Sequence, residues 1–121
     1  MTIRNFRDLN VWKLGKELVI DIYTITRNSP RDEQFGLISQ MRRCAISIPS
    51  NIAEGFNRTH KRDFRRFLNM ALCSCAELDT QTEISFELAY LNRLNRDKLL
   101  SKISTEVKML RNLIKSVEVS L

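Results

Sequence analysis

The chain has 121 residues, of which 43% are hydrophobic and 28% are charged. This length accommodates one compact domain over residues 1–121, and this composition excludes a disordered polar chain and a membrane-spanning protein. Three glycines and two prolines are too few for an all-β fold, which needs frequent turns. The net charge of +6 favours anionic partners, such as nucleic acid or an anionic membrane surface.

The first amphipathic segment runs from about Asp8, a candidate N-cap, to about Asn28. Its main apolar positions recur at steps of three and four: Val11, Leu14, Leu18, Ile22 and Ile25. Trp12, Val19 and Tyr23 widen this face, so we expect a helix that is buried on more than one side.

The second segment begins near Asp32 and Glu33, acids that suit a helix N-terminus, and ends near Gly55. Its apolar arc comprises Leu37, Met41, Cys44, Ala45, Ile48 and Ile52. Because this arc continues in phase through Pro49, we expect a kink at that residue rather than two separate helices.

Two longer segments follow a link over residues 56–60. The third runs from about residue 61 to residue 92, with Phe64, Phe67, Leu68, Ala71, Cys75, Leu78, Phe86 and Ala89 on one side. The fourth starts after Asn95, and its apolar positions are Leu100, Ile103, Val107, Leu110, Ile114, Val117 and Leu121. This alternation of three and four is typical of a left-handed bundle seam. Four helices with short links predict an all-α, antiparallel up-down-up-down four-helix bundle.

The basic excess is confined to residues 1–66, which hold 13 lysines and arginines against 7 acids, whereas residues 67–121 hold 7 of each. It is densest at the start of the third segment. The candidates for nucleic-acid binding are Arg42, Arg58, Lys61, Arg62, Arg65 and Arg66. Four acids follow on much the same face of that helix: Glu77, Asp79, Glu83 and Glu87.

This charge order opposes the helix dipole, which disfavours cations at an N-terminus and acids near a C-terminus. Two functional interpretations explain it. The arginines could converge on phosphates, or the basic half of one chain could meet the acidic half of a neighbour. A solvated charged face is the third interpretation.

A polar stripe on the second segment lies beside its apolar arc. It comprises Gln40, Arg43, Ser47, Asn51 and Glu54, which fall within about 80° of each other at 100° per residue. The stripe is either the exposed face of the helix or a hydrogen-bonded seam. Ser74 and Glu77 on the third helix are the candidate partners of such a network.

Enzyme chemistry finds little support in the sequence. There is no HExxH, GxSxG, Gly-rich phosphate loop or paired Cys and His, and His60 stands alone among cations. Cys44, Cys73 and Cys75 lack metal-ligand spacing, and the odd thiol count with no secretory leader indicates a reducing, cytoplasmic location. We expect no enzyme, no cofactor, no metal, no membrane partner and no small-molecule substrate.

Four stretches of the chain resemble one known family. They are residues 9–12 (LNVW), residues 40–55 (QMRRCAISIPSNIAEG), the spacing of Phe64, Phe67, Ala71, Ser74 and Glu77, and residues 109–114. The run SIPSNIAEG is the most specific of them. The sequence is similar to the bacterial four-helix bundle family that is linked to intervening sequences inserted in 23S ribosomal RNA genes.

The resemblance implies an antiparallel bundle that assembles into a ring-like homo-oligomer, a pentamer. The family is similar to accessory proteins of diversity-generating retroelements, which are basic barrels that engage nucleic acid and a reverse transcriptase. Its members usually carry a small residue, often Gly, where Cys73 stands here, and commonly Ala at Cys44. The family has no established catalytic role for these departures to affect.

We therefore predict a non-enzymatic, oligomeric protein that binds nucleic acid, RNA or DNA, through its basic surface. Few aromatic residues accompany the arginines, so we expect contacts with the backbone and weak sequence specificity. The alternative is a protein-interaction scaffold whose charged faces serve ring assembly or a protein partner.

Overall fold

The computed structural model describes residues 3–31 and 36–121, and these residues form four α-helices and no strand. The helices are α1 (Asn10–Ile25), α2 (Leu37–Phe56), α3 (Lys61–Glu87) and α4 (Arg93–Val119). Each helix packs against two others, in the cyclic order α1, α2, α3, α4. The predicted all-α, four-helix class is confirmed.

Neighbouring helices contact one another in reverse order along the chain. Ser47 and Ser74 meet midway along α2 and α3, whereas Met41, at the start of α2, accepts a hydrogen bond from Ser85, near the end of α3. Lys102 of α4 likewise pairs with Asp21, late in α1. This order is the geometry of antiparallel neighbours. The up-down-up-down order of the bundle as a whole stays a prediction.

Helix α1 begins one residue later than the predicted N-cap at Asp8 implies. Residues Phe6–Asp8 form a separate 3-10 turn, capped by the Asn5 side chain, and Leu9 is extended. Asp8 is therefore the end of that turn and not the N-cap of α1, because the Asn5 carboxamide binds the Arg7 N–H and starts the turn first. The predicted start of α2 at Asp32 and Glu33 lies outside the described residues.

The boundary between α3 and α4 also differs from the prediction. Helix α3 ends at Glu87, where Ala89 adopts a left-handed conformation with φ of 64°. Helix α4 begins at Arg93 because the Asn92 carboxamide accepts the N–H of Asn95 and caps the first turn. Apolar periodicity could not locate this break, since Phe86 and Ala89 keep the helical phase across it.

The core is apolar along most of its length, but α4 buries a different set of residues from the predicted one. Leu99 and Glu106 are fully buried, whereas Leu100 and Val107 are half-buried against the core. The buried positions of α4 are Leu99, Ile103, Glu106, Leu110, Ile114 and Val117. The terminal Leu121 lies beyond the helix and is exposed, so it is no part of the seam.

Helix α2 is continuous through Pro49, and the kink at that residue stays a prediction. The proline has no N–H, so it withholds from Ala45 the usual helical hydrogen bond. None of the helices in residues 3–31 and 36–121 combines the length and apolarity needed to cross a bilayer.

Candidate nucleic-acid interface

The corner between α2 and α3 is tightly packed, which fixes the basic residues around it. A Cβ placed on Gly55 would lie 2.5 Å from the Phe67 Cβ, so only glycine permits this close approach of the two helices. The rings of Phe56 and Phe64 meet edge to face, 5.8 Å apart, beneath the corner. The link over residues 57–60 therefore holds Arg58 close to the first turns of α3.

Two of the predicted arginines at this corner have acidic partners. Arg58 pairs with Glu54 at 3.1 Å and Arg66 with Asp63 at 3.7 Å. Both guanidinium groups also lie about 5 Å from the centroid of the Phe67 ring, within the range of cation–π attraction. Their charges are thus partly neutralised, and their positions are restrained by a buried ring.

The other three cations of the corner, Lys61, Arg62 and Arg65, form no ion pair with the described residues. They lie within the first five positions of α3, whose N-cap His60 makes no side-chain cap. The first N–H groups of a helix lack intrahelical partners and carry partial positive charge. We call Arg58, Lys61, Arg62, Arg65 and Arg66 the α3 basic surface.

A cleft of about 720 Å³ opens beside this surface, along the outer side of α3 and the edge of α2. It is lined by Asn51, Arg62, Asp63, Arg65, Arg66, Asn69, Met70, Cys73 and Ser74. The arginine forks and carboxamides of this lining are groups that bind phosphate oxygens. The lining also includes Met70, which is 43% exposed, and the exposed thiol of Cys73.

The structure brings part of the predicted polar stripe together at the floor of the α2–α3 contact. Ser47 Oγ lies 2.7 Å from Ser74 Oγ and 2.5 Å from the Cys44 carbonyl oxygen. The Cys44 thiol donates to the Ser74 carbonyl, and the Asn51 carboxamide donates to the Ser47 carbonyl. These bonds satisfy polar groups at a half-buried helix contact.

The other members of the stripe lie apart from this network. Gln40 and Arg43 are exposed, and Glu54 forms an ion pair with Arg58. Glu77, a predicted partner of the stripe on α3, is exposed but interacts with Cys44, whose pKa rises to about 12 through burial and through the charge and hydrogen bond of this carboxylate. Of the acids further along α3, Glu83 pairs with Arg96 of α4 at 3.7 Å.

Arg42 does not belong to the α3 basic surface. It lies near the start of α2, about 20 Å along the helix from the corner that Arg58 occupies. Its Nε donates to Thr26 Oγ1 at 3.1 Å, and its guanidinium carbon is 4.7 Å from the Tyr23 ring centroid. Arg42 thus joins α2 to α1 at the opposite end of the bundle.

One polar residue at the centre of the bundle escaped the sequence analysis. The Glu106 carboxyl is fully buried, and neither oxygen has a hydrogen-bond partner among the described residues. Burial raises the pKa of this carboxyl to about 8. The pKa of the Cys75 thiol rises to about 12, because Cys75 is buried and lies near Glu106. The available signal was Gly15, a glycine in the middle of a helix that offers space for a side chain from α4.

The described side chains do not form a candidate metal-binding site. Within residues 3–31 and 36–121, no three His, Cys, Asp or Glu side chains are grouped as metal ligands.

Comparison with known proteins addresses the family directly. The sequence profile of the 23S rRNA-intervening sequence protein family matches residues 7–112. The chain belongs to this family. The match covers most of α4 and the whole of the other helices, so the resemblance inferred from the SIPSNIAEG run is confirmed.

A solved structure agrees with this assignment at the level of the fold. It is the crystal structure of a protein of unknown function from the S23 ribosomal protein family of Bacteroides thetaiotaomicron. The two chains share 24% identity, with a TM-score of 0.80 over 87% of this chain and 95% of the other. A comparison with curated proteins returned no match.

Proposed function

We propose that this protein is a non-catalytic RNA-binding protein that contacts the phosphate backbone through the α3 basic surface. The observation that carries the proposal is the set of three cations without acidic partners, Lys61, Arg62 and Arg65, at the N-terminus of α3. Cations placed against a helix dipole cost stability unless an anion compensates them. A phosphate at this position would accept hydrogen bonds from the arginine forks and from free helix N–H groups.

The membership of a family associated with 23S rRNA intervening sequences supports RNA as the anion. Weak sequence specificity is expected, because the nearest aromatic rings cannot stack on bases. Phe56 and Phe64 pack against each other, and the Phe67 ring is buried beneath Arg58 and Arg66. Backbone contact without base stacking gives affinity that depends on salt rather than on sequence.

The test is binding to a structured RNA hairpin, followed by fluorescence anisotropy over a series of salt concentrations. Log affinity falls as log salt rises, and each lost phosphate contact reduces the magnitude of this negative slope by about 1. We therefore expect the double variant Arg62→Ala/Arg65→Ala to lower it by about 2. The matched control, Arg93→Ala/Lys98→Ala, removes two exposed cations from the start of α4 and should keep the wild-type slope. Equal slopes for the two variants would refute the assignment of the surface.

Self-association is a second candidate function, and exposed apolar residues favour it. Ile46 and Met70 are large hydrophobic side chains that are 41% and 43% exposed, and Met70 lines the cleft beside the α3 basic surface. Burying such residues against a second copy would remove apolar area from water. This contact would fit the ring-like homo-oligomer that the family resemblance implies, with a pentamer as the expected size.

Light scattering coupled to size-exclusion chromatography tests this second function. Met70→Arg should reduce the mass of the assembly. Met109→Arg would be an unsuitable control, because Met109 packs against the core. The suitable control is Ser104→Arg, which adds the same charge at an exposed position of α4. A wild-type protein that runs as a monomer at all concentrations would exclude self-association and leave the RNA proposal standing.

A further inference from the structure

A small pocket at the end of the bundle opposite the α3 basic surface concentrates positive charge. It has a volume of about 290 Å³ and lies where α1 ends and α2 begins. Among the described residues, the charged or hydroxyl-bearing lining residues are Thr26, Arg27, Ser29, Arg31 and Arg42. This volume lies just below the range for small-molecule sites, which begins at about 300 Å³.

None of the three arginines in this pocket forms an ion pair with a described residue. Capping of α1 does not account for them either. The Ile22 carbonyl accepts from Thr26, and the carbonyls of Thr24 and Thr26 accept from backbone N–H groups further along the turn. Within residues 3–31 and 36–121, these guanidinium groups therefore have no acidic partner and can donate to another acceptor.

Arg42 is held in place before any ligand arrives. Its Nε donates to the buried Thr26 hydroxyl, which itself donates to the Ile22 carbonyl at 2.6 Å, and its guanidinium carbon lies over the Tyr23 ring. These contacts use one of the five guanidinium N–H groups and leave the terminal nitrogens without a hydrogen-bond partner among the described residues. A guanidinium restrained in this way loses little entropy when it binds an anion.

Ser29 adds a hydroxyl that lacks a partner. Its Oγ is buried, and it makes no hydrogen bond within the described residues. A buried hydroxyl without a partner costs free energy, which an acceptor in the pocket would recover. Three arginines and a hydroxyl donor around one small cavity form a donor set that suits a tetrahedral oxyanion.

We propose that this α1–α2 pocket binds a phosphate group, either as free phosphate or as the phosphate of an RNA strand. The proposal is independent of the α3 basic surface, from which the pocket is separated by most of the length of α2.

Isothermal titration calorimetry with inorganic phosphate at low ionic strength provides the test. The double variant Arg27→Ala/Arg31→Ala changes exposed side chains, so it should fold normally and bind phosphate at least about tenfold more weakly. The matched control Lys108→Ala/Arg111→Ala removes the same charge from an exposed part of α4 and should bind as the wild type does. An equal loss in the two double variants would overturn the proposal.

The uncharged variant Ser29→Ala separates a built site from diffuse attraction. It should also weaken phosphate binding, and an affinity equal to that of the wild type would overturn the proposal. Arg62→Ala/Arg65→Ala leaves the pocket intact, so it should weaken phosphate binding less than Arg27→Ala/Arg31→Ala does. If that variant loses phosphate binding while Arg27→Ala/Arg31→Ala retains it, the anion lies on the α3 basic surface and the pocket proposal fails.

The source of the phosphate follows from three probes on the same variants. Free phosphate, a short RNA with a 5′-phosphate and the same RNA with a 5′-hydroxyl are titrated in parallel. If Arg27→Ala/Arg31→Ala weakens binding of the 5′-phosphorylated RNA but not of the 5′-hydroxyl RNA, the pocket binds a terminal phosphate. An effect on both strands assigns it to the backbone, and an effect on none of the three probes contradicts the proposal.

Discussion

The Glu106 carboxyl occupies space that exists because residue 15 has no side chain. A Cβ placed on Gly15 would lie 3.1 Å from Glu106 Oε2 and 3.3 Å from the Ile48 Cγ2. Gly15 of α1 and Glu106 of α4 thus form a complementary pair at the centre of the bundle, beside Pro49 of α2. The carboxyl is buried without a partner, and its raised pKa keeps it largely protonated at neutral pH.

The first prediction concerns the pH dependence of stability. The pKa of Glu106 rises from 4.5 to about 8 on folding, so the native state binds more protons than the unfolded state between these values. The contribution of this group is complete below pH 4.5, falls as the pH rises towards 8, and is constant above it. The slope approaches about 1.4 kcal/mol per pH unit within this window.

Urea unfolding at pH values on both sides of that window measures the effect. Glu106→Gln cannot ionise, so its free energy of unfolding should lack this decline and should exceed that of the wild type at high pH. Glu118→Gln, at an exposed position of the same helix, should keep the wild-type profile. Parallel profiles for the wild type and Glu106→Gln would show that the buried carboxyl does not titrate in this way.

The second prediction concerns the close approach of α2 and α3. Gly55→Ala would place a Cβ 2.5 Å from the rigid Phe67 Cβ, so one helix must move. Overpacking of this kind costs about 1–3 kcal/mol, more than alanine gains in helix propensity. Chemical denaturation should show this loss, whereas Ser50→Ala at an exposed position of α2 should be nearly neutral or slightly stabilising. A stabilised Gly55→Ala would mean that the corner is loose.

The third prediction compares two acids that share one lysine. Lys102 Nζ lies 2.6 Å from Asp21 Oδ2 and 3.6 Å from Glu17 Oε1, and the hydrogen bond to Asp21 raises the pKa of Lys102. The Asp21 side chain is 16% exposed, whereas that of Glu17 is 62% exposed. Asp21→Asn should cost about 1–2 kcal/mol in unfolding free energy, and Glu17→Gln less than about 0.5 kcal/mol. Equal losses would show that exposure does not separate the two pairs.

The fourth prediction concerns the end of α3. Ala89 has a φ of 64°, while Tyr90 N–H binds the Ser85 carbonyl and Ala89 N–H binds the Phe86 carbonyl, the pattern of a Schellman motif. Glycine adopts this conformation without the steric cost of a Cβ. Ala89→Gly should therefore raise the free energy of unfolding by about 1 kcal/mol and the melting temperature by a few degrees.

The same substitution within the helix provides the control for that experiment. Ala76 lies at an exposed position in the middle of α3, where glycine costs about 1 kcal/mol in helix propensity. Ala76→Gly should lower the melting temperature, so the two alanine-to-glycine changes are expected to act in opposite directions. A lower melting temperature for both would contradict the role assigned to Ala89.

Much of the interface could be predicted from the sequence, because its residues are close together in the chain. Arg62, Arg65 and Arg66 share a short stretch of one helix, so their common placement follows from helical geometry alone. The separation of Arg42 from them could not be predicted in this way. It depends on which neighbours its side chain meets, Tyr23 and Thr26, and these belong to another helix.

The class of four helices and the family were determined by the sequence itself, since amphipathic periodicity and the SIPSNIAEG run are local properties of the chain. The exact seam of α4 was decided only by the tertiary structure. Periodicity assigned Leu100 and Val107 to it, because apolar residues in a regular alternation are expected to face the core. The packed helix instead turns Leu99 and Glu106 inwards. A charged residue becomes acceptable there because Gly15, 91 positions earlier, leaves room for its carboxyl and burial keeps that carboxyl protonated.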